Sequence, residues 1–236
     1  MILGEVCTRS CGFCNVRTGK PVPPDLNEPL NVGKSVALMG LRHIVITCVD
    51  RDDLQDGGAG IWAQTIQSVH KQAPNTSVEA LIGDFCGSKR DLDTVIDAVP
   101  EILAHNIETV PRMHLAVRPQ AMYDRSLQVL ERIRDAGLVS KTGIMVGIGE
   151  TDEEVFELLA DVQQRAGTEI ITIGQYLQPT RNHLPVDRWV HPTTFEQYKK
   201  VGLELGFRVV ESGPLVRSSY HAEEQVRALE TSTQTE

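Results

Sequence analysis

The sequence lacks several features that would place it in particular classes of protein. Only 5% of its 236 residues are aromatic and only five are cysteine. No apolar run approaches the length of a membrane span, and the first residues lack the basic and then apolar pattern of a secretion signal. The cysteines are too few and too clustered for the disulfide framework of a small secreted domain. We therefore expect a cytoplasmic protein.

Positive charge is also scarce. The chain has 23 lysines and arginines against 32 aspartates and glutamates, which gives a net charge of −9. No block rich in lysine or arginine is interleaved with aromatic residues, as binding to a phosphate backbone requires. We expect neither nucleic acid nor a membrane as a partner. The hydrophobic content of 41% is sufficient for a full core at this length.

Short β-branched runs alternate along the chain with longer helical patterns. The predicted strands are Ile2–Val6, His43–Val49, Ser77–Gly83, Ile102–Thr109, Thr142–Gly149, Ile170–Leu177 and Phe207–Ser212, and the predicted helices are Asn31–Gly40, Ala59–Gln72, Leu92–Val99, Met122–Ala136, Asp152–Ala166 and Thr194–Leu205. Strands joined by crossover helices indicate a parallel sheet. These units are too few for a closed eightfold barrel, so the pattern predicts an α/β fold of the partial (β/α)6-type TIM barrel class. A doubly wound open sheet is the alternative.

The domain and its ends follow from the same pattern. We expect one domain over residues 1–225 and a flexible tail over residues 226–236. The helix from Asp152 has the clearest signals, because Thr151 and Glu154 form a capping-box pair and Gly167 stands just beyond its last turn. Polar clusters follow the predicted strands, which places one site at the carboxyl ends of the strands.

Three of the five cysteines lie in one short segment, CTRSCGFC. Cys7, Cys11 and Cys14 form a C-x3-C-x2-C array, while Cys48 and Cys86 are isolated. Three thiolates on one loop reach three corners of an iron–sulfur cluster or three positions around zinc. Without a metal, three thiols on one loop would be prone to oxidation. The array therefore predicts a metal site, and a zinc-binding domain without catalytic activity is one interpretation of it.

With Phe13 directly before its last cysteine, this array resembles the signature of the radical S-adenosylmethionine enzymes. The resemblance implies a [4Fe–4S] cluster with an open iron that S-adenosylmethionine chelates and a 5′-deoxyadenosyl radical as the product of its cleavage. Further runs resemble the lipoyl synthase branch: VDRDDLQDGGA, HNIETVPR, VRPQAMYDRSLQVL, KTGIMVGIGET, GQYLQPT, HLPV and GPLVRSSYHA. Biotin synthase shares the array but is not expected to end in RSSYHA; a biotin-synthase-like sulfur inserter is the alternative enzyme.

This resemblance implies a sulfurtransferase that inserts two sulfur atoms into a protein-bound octanoyl chain. The implied partners are an octanoylated lipoyl domain or glycine-cleavage carrier protein, with flavodoxin or ferredoxin as the electron donor. The implied sulfur source is an auxiliary [4Fe–4S] cluster, held by three cysteines before the array and by Ser219, with Ser218 as the alternative and Arg217 in support. Only six residues precede Cys7. We therefore expect a shortened chain that holds the radical cluster but not the auxiliary one, and that fails to donate sulfur. A naturally short form that acts on another substrate, or with a partner that supplies the missing cluster, is the alternative.

Two pairs of residues are predicted to contact S-adenosylmethionine. Gly57 and Gly58 let the backbone approach a ligand closely, and their carbonyls suit the methionyl ammonium; an ordinary loop before a helix is the alternative. Asn106 and Glu108 alternate along a predicted strand, so both point into the barrel, where a carboxylate suits ribose hydroxyls. Structural hydrogen bonds in this segment are the competing interpretation.

A third group of candidates lies further along the chain. Gly147 and Glu150 stand between a predicted strand and a capped helix, where backbone amides suit the adenine or carboxylate of the cofactor. Glu150 is alternatively a favourable charge near a helix start. Tyr176 offers apolar surface for adenine or a fatty chain, or belongs to the core. The acidic run VDRDDLQD contains Arg51, which favours ion pairs or solvent exposure over a metal site.

Overall fold

Six parallel strands form the centre of the protein, whose computed structural model describes residues 1–225. In chain order these strands are β3 (His43–Thr47), β4 (Ser77–Leu81), β5 (Ile102–Ala104), β6 (Val139–Val146), β7 (Ile170–Gln175) and β8 (Val209–Gly213), preceded by the two-residue strands β1 (Val6–Cys7) and β2 (Arg17–Thr18). Each of the six pairs with the next along the chain, so the sheet order is the sequence order. This arrangement confirms the predicted α/β partial barrel, because sequential parallel pairing curls a sheet in one direction. The domain prediction for residues 226–236 lies outside the described residues.

Helices cover the outer face of the curled sheet. They are α1 (Glu28–Met39), α2 (Ala59–Gln72), α3 (Lys89–Ile96), α4 (His114–Val117), α5 (Tyr123–Asp135), α6 (Asp152–Asp161) and α7 (Pro192–Leu205). Outward residues of the strands, such as Ile46, Val78 and Ile171, belong to one large core with the helices. No helix within residues 1–225 is long and apolar enough to cross a membrane.

The inner face of the barrel is closed at the amino ends of the strands by a small apolar cluster. Ile102, Ile170 and Val209 form this cluster, and Val139 packs against it. Register pairs place Ile102 beside Val139 and Ile170 beside Val209. Since side chains alternate along a strand, residues two and four positions later point inward nearer the carboxyl ends. The interior of the barrel is therefore closed at the amino ends of the strands and accessible from their carboxyl ends.

The clearest helix signals are confirmed. The hydroxyl of Thr151 accepts from the amide of Glu154, the Glu154 carboxylate accepts from the amide of Thr151, and α6 begins there. A π-helical turn, Val162–Ala166, continues α6 up to Gly167, whose φ of 57° ends it. The helix over Ala59–Gln72 has the predicted bounds.

Two strand predictions differ most from the structure in extent, and the others differ by up to three residues at an end. Ile2–Val6 does not join the sheet as a strand, because Leu3 and Gly4 have φ values of 69° and 96°, and only Ile2 makes a bridge, to Cys48. The strand predicted over Ile102–Thr109 ends at Ala104. The chain beyond it runs through a positive φ of 70° at Glu108 and returns to the sheet only in a bridge between Glu108 and Ile144.

Candidate functional site

The carboxyl ends of the strands surround two adjoining cavities. The first, which we call the cysteine cavity, is lined by Cys7, Cys11, Cys14, Asp50 and Arg118, among others. The second, the barrel cavity, is lined by Gly143, Met145, Thr172, Tyr176 and Ser218, among others. Phe13, Asn106 and Glu108 line both. The three cysteines predicted to bind metal therefore share these adjoining cavities with four of the predicted cofactor contacts, Phe13, Asn106, Glu108 and Tyr176.

The loop that carries the three cysteines, residues 7–14, is anchored by segments far away in sequence. The Gly12 amide donates to the Val117 carbonyl (2.9 Å), and the Leu184 amide donates to the Gly12 carbonyl (3.0 Å). Nε2 of His183 lies 3.0 Å from the Cys14 carbonyl, and it must donate because a carbonyl only accepts. A Cβ at Gly12 would lie 2.9 Å from Leu184 Cδ1, so a larger residue there would require the Leu184 side chain to shift.

Two thiols of the loop, those of Cys7 and Cys11, are in surroundings that disfavour a free thiolate. Burial raises the pKa of Cys7, and it raises the pKa of Cys11 to about 12 even though Arg118 opposes the change. Thiolates are the metal-ligating form, so these cysteines need a cationic group bound in the cavity in order to ionise. Iron ions of a cluster provide that charge. The donor set of the cysteine cavity therefore fits a [4Fe–4S] cluster.

A single metal ion fits less well. Within residues 1–225, no three His, Cys, Asp or Glu side chains are close enough together to hold one ion. Zinc draws its sulfur ligands to about 2.3 Å from one point, whereas a cluster binds each thiolate at a different iron. The arrangement disfavours the zinc interpretation.

Asn106 and Glu108 lie at the junction of the two cavities. The Asn106 side-chain amide donates to Glu108 Oε1 (3.1 Å) and to the Ser218 hydroxyl (2.9 Å). Burial raises the pKa of Glu108 despite the nearby Arg118 and the Asn106 hydrogen bond. The structure thus brings both predicted polar contacts to the cavity, joined to each other.

Aromatic side chains form part of the cavity walls. Phe13 is half-buried at the boundary between the cavities. Tyr176 is only 1% exposed, and its hydroxyl donates to the Leu184 carbonyl (2.7 Å). Tyr176 therefore lines the barrel cavity. It also binds Leu184, whose amide in turn donates to the cysteine loop at Gly12.

The structure does not bring Gly57 and Gly58 to either cavity. Neither is among the described residues that line the two spaces. A Cβ at Gly57 would contact the Phe85 ring, and one at Gly58 would lie 2.6 Å from Leu3 Cδ1. The positive φ values of this pair, 60° and 89°, lead the chain into α2.

Gly147 and Glu150 are hydrogen-bonded to each other. The Glu150 carboxylate is buried and accepts from the amides of Gly147 (2.7 Å) and Ile148 (3.0 Å). It also receives Arg188 Nη2 at 3.0 Å. The Gly147 amide, which was predicted to suit the cofactor, therefore already has a partner within the turn.

The serines of RSSY face different spaces. Ser218 lines the barrel cavity with Arg217. Ser219 is exposed and lines a separate surface depression with Arg42 and His43. Ser218, the alternative ligand, is the serine nearer the cysteine cavity, while the assignment of Ser219 stays a prediction.

Sequence reasoning missed Arg118. Its guanidinium is 8% exposed in the wall of the cysteine cavity and donates to the carbonyls of Asn106 (2.8 Å) and Ile107 (3.0 Å). It therefore places a positive charge beside the thiols. Its only sequence signal is an arginine before a proline between two helical segments, and an arginine in a loop is typical of a solvent-exposed position.

A parallel partial barrel with three cysteines on one loop at its open end defines a radical S-adenosylmethionine enzyme. The sequence profile of the Radical SAM superfamily matches residues 1–162. Lipoyl synthase of Rubrobacter xylanophilus is 56% identical over 227 residues, covering 95% of this chain and 70% of that protein. Lipoyl synthase of Flavobacterium johnsoniae is 52% identical over 227 residues (96% and 78%), and the mitochondrial lipoyl synthase of Nematostella vectensis is 53% identical (96% and 78%). The chain belongs to the lipoyl synthase family.

Solved structures support the fold at much lower identity. Methylornithine synthase superposes with a TM-score of 0.63 at 14% identity, covering 99% of this chain and 80% of that one. HydG, a maturase of the [FeFe]-hydrogenase, superposes with a TM-score of 0.66 at 14% identity (86% and 48%). These similarities show the partial barrel alone. Family membership implies a [4Fe–4S] cluster and S-adenosylmethionine as cofactors.

Proposed function

We propose that this chain uses S-adenosylmethionine and a [4Fe–4S] cluster to convert protein-bound octanoyl groups toward lipoyl groups. The observation that carries the proposal is the convergence of Cys7, Cys11 and Cys14 on a cavity that continues into the barrel. Identity above 50% to lipoyl synthases over 95–96% of the chain selects this reaction among those of the superfamily.

The residues of the cavities have distinct roles in this proposal. The three thiolates hold three irons, and Arg118 attracts the carboxylate of the cofactor. Glu108, oriented by Asn106, accepts hydrogen bonds from ribose hydroxyls. When bound, the cofactors supply the radical that removes hydrogen from unactivated carbons.

The barrel cavity is the site proposed for the acyl chain. Its walls include Phe13, Met145 and Tyr176, whose apolar surfaces suit an alkyl group. The apolar cluster at the amino ends closes the barrel below it. A chain entering from the carboxyl ends would therefore be shielded from water near the cysteines, which protects a reactive intermediate from side reactions.

Family membership implies a lipoyl-carrier protein and an electron donor as partners. We propose, more specifically, that the carrier is an octanoylated lipoyl domain or glycine-cleavage carrier protein. We propose flavodoxin or ferredoxin as the donor. We propose that the protein acts in the cytoplasm.

Anaerobic reconstitution tests the proposal. With iron and sulfide, we expect a brown protein with ~4 irons per chain that bleaches on reduction. With reductant and S-adenosylmethionine, an octanoyl-lysyl peptide should increase release of 5′-deoxyadenosine, whereas the same peptide without the acyl group should not. Cys11→Ser is the matched negative control. A colourless protein, or equal release of 5′-deoxyadenosine with the acylated and the unacylated peptide, would contradict the proposal.

A further inference from the structure

Arg9 stands between the first two cysteines of the array, and it lines the cysteine cavity while its guanidinium lies in an ion-pair cluster. It is 3% exposed. Its Nε and Nη2 each donate to Asp52 at 2.8 Å, and Nη2 also donates to Asp84 at 2.6 Å. Nη1 lies 3.7 Å from Asp50 Oδ1. We call these four residues the Arg9 clamp.

The clamp joins three loops at the carboxyl ends of the barrel. Asp50 and Asp52 follow β3, and Asp84 follows β4. Backbone contacts run in parallel with the side-chain contacts: the Thr8 amide donates to the Asp50 carbonyl (3.1 Å), and the Asp52 amide donates to the Thr8 hydroxyl (3.1 Å). The position of the cysteine loop relative to the sheet is therefore fixed on this side mainly by Arg9 and its neighbour.

Space for the clamp is made by a glycine. A Cβ at Gly83 would lie 2.2 Å from Asp50 Oδ1, so any other residue there would displace the carboxylate. Asp50 in turn lines the cysteine cavity. The clamp thus reaches from the sheet to the surface that faces the thiols.

The buried charges are strongly coupled. Asp84 is 1% exposed and also receives Arg125 Nη1 at 3.2 Å. Burial alone would raise the pKa of Asp84, but hydrogen bonding and charge from Arg9 outweigh it and lower the pKa to about 2. A buried carboxylate that lost its cation would be left with a large desolvation cost. Arg9 is therefore the residue on which the other members of the clamp depend.

From these contacts we propose that Arg9 is a positioning residue for the iron–sulfur cluster. It holds the loop with Cys7 and Cys11 in its ligating arrangement before iron arrives, and its positive charge offsets the carboxylates beside the cluster. The inference rests on the proposed function for the presence of the cluster. It adds a role for a residue that binds neither iron nor substrate.

The two parts of the role have different consequences. Loss of preorganisation leaves the thiols in several arrangements, which slows cluster assembly. Loss of a positive charge near the cluster disfavours the reduced, more negative form of the cluster. The midpoint reduction potential of the cluster, here called the midpoint, therefore becomes more negative. A residue needed only for folding would lower the free energy of unfolding without moving the midpoint of the chains that remain folded.

Four variants test the proposal. Arg9→Gln should assemble its cluster several-fold more slowly and show a more negative midpoint. Arg9→Lys keeps the charge, so its midpoint should stay near that of the unsubstituted chain while assembly is slowed. Asp52→Asn removes a negative charge at a partly exposed position and should move the midpoint in the opposite direction. Arg17 lies three residues after Cys14, and its side chain is 71% exposed. Arg17→Gln should therefore change neither the rate of cluster assembly nor the midpoint.

Amide hydrogen exchange of the iron-free chain tests preorganisation without a cluster. The amides of Thr8, Gly12 and Cys14 all donate within or from the loop, and Arg9→Gln should make them exchange faster. Unchanged exchange together with an unchanged midpoint would overturn the inference. Failure of the unsubstituted chain to bind iron would instead contradict the proposed function, while the exchange experiment would still decide whether the clamp holds the loop. If Arg9→Gln does not fold, Asp52→Asn gives both measurements, and faster exchange with a more positive midpoint is the expected result.

Discussion

At the scale of single residues, His105 is held neutral beside the cysteine cavity. It is 1% exposed, with Nδ1 3.0 Å from the Ile82 carbonyl and Nε2 2.9 Å from the Ser126 hydroxyl. Since the carbonyl must accept, Nδ1 carries the proton and Nε2 accepts from Ser126. Burial, reinforced by the charge of Arg118, lowers the pKa of His105 to about 4.

This depressed pKa predicts a loss of stability on mild acidification. Below pH ~6.5 an unfolded chain protonates this histidine, whereas the folded chain does so only near pH 4, so acid favours unfolding across that interval. The contribution lost is roughly 3 kcal/mol. Urea unfolding at several pH values should show a shallower dependence for His105→Gln than for the unsubstituted chain. The exposed His191→Gln serves as the control, and equal slopes for His105→Gln and the control would contradict the assignment.

Whether a residue's role could be predicted from sequence depended on where its partners lie. The cysteine array was recognisable because its ligands are within eight positions of each other. The contacts of Arg9 are 43 and 75 positions away, so its burial became visible only in the folded chain. The same holds for Glu150, whose partner Arg188 is 38 positions away.

At the scale of secondary structure elements, a buried ion pair links two strands across a third. Lys141 on β6 contacts both carboxylate oxygens of Glu79 on β4, at 2.8 and 2.9 Å. Both side chains are at most 1% exposed. Ala104 on β5 is the register neighbour of Lys141, and its small side chain leaves room for the pair to meet inside the barrel.

Removing one partner of this ion pair should lower the free energy of unfolding, whereas replacing both partners with apolar residues should lower it much less. Lys141→Met leaves the Glu79 carboxylate buried without its cation, so we expect a loss of about 3–5 kcal/mol in the free energy of unfolding. The double variant Lys141→Met with Glu79→Leu should recover most of that loss. Chemical unfolding measures both, with Lys200→Met, 76% exposed, as the control. A double variant as unstable as the single one would show that the pair is needed for more than charge balance.

Element predictions succeeded where the signals were local. The helix from Asp152 was predicted from a capping box and a terminal glycine, and both are present. Ile2–Val6 was mistaken for a sheet strand because its apolar pattern is that of a strand, while the backbone reversal at Leu3 depends on contacts such as Arg51 Nη1 with the Leu3 carbonyl (3.1 Å). A positive φ at a leucine has no signal in sequence.

At the scale of the whole molecule, the alternation of strands and helices predicts a parallel sheet, and the observed strand order, which follows the sequence, decides for the partial barrel over the doubly wound sheet. Sequential order and right-handed crossovers leave few arrangements for six parallel strands. The depth and contents of the two cavities were not predictable in this way, because they depend on loops such as residues 176–184. Those loops contact the cysteine segment across a sequence separation of 169 positions between His183 and Cys14.

Cluster binding should stabilise the entire fold. A ligand that binds only the folded arrangement of three thiols raises the free energy of unfolding. We therefore expect the iron-loaded chain to melt at a higher temperature than the iron-free chain in anaerobic calorimetry. The triple variant Cys7→Ser, Cys11→Ser and Cys14→Ser should melt at the same temperature with or without iron and sulfide. A cluster that leaves the melting temperature unchanged would mean that the thiols are equally available in the unfolded chain.

The hydrogen bonds from Leu184 and His183 to the backbone of Gly12 and Cys14 bear on the timing of biogenesis. A ribosome delivers the three cysteines first and the residues that brace them much later. Until Leu184 has left the exit tunnel, the nascent chain carries the thiols without one side of their support. The three thiols therefore lie on a fully supported loop only once residues 183 and 184 have been synthesised and have folded against residues 12 and 14.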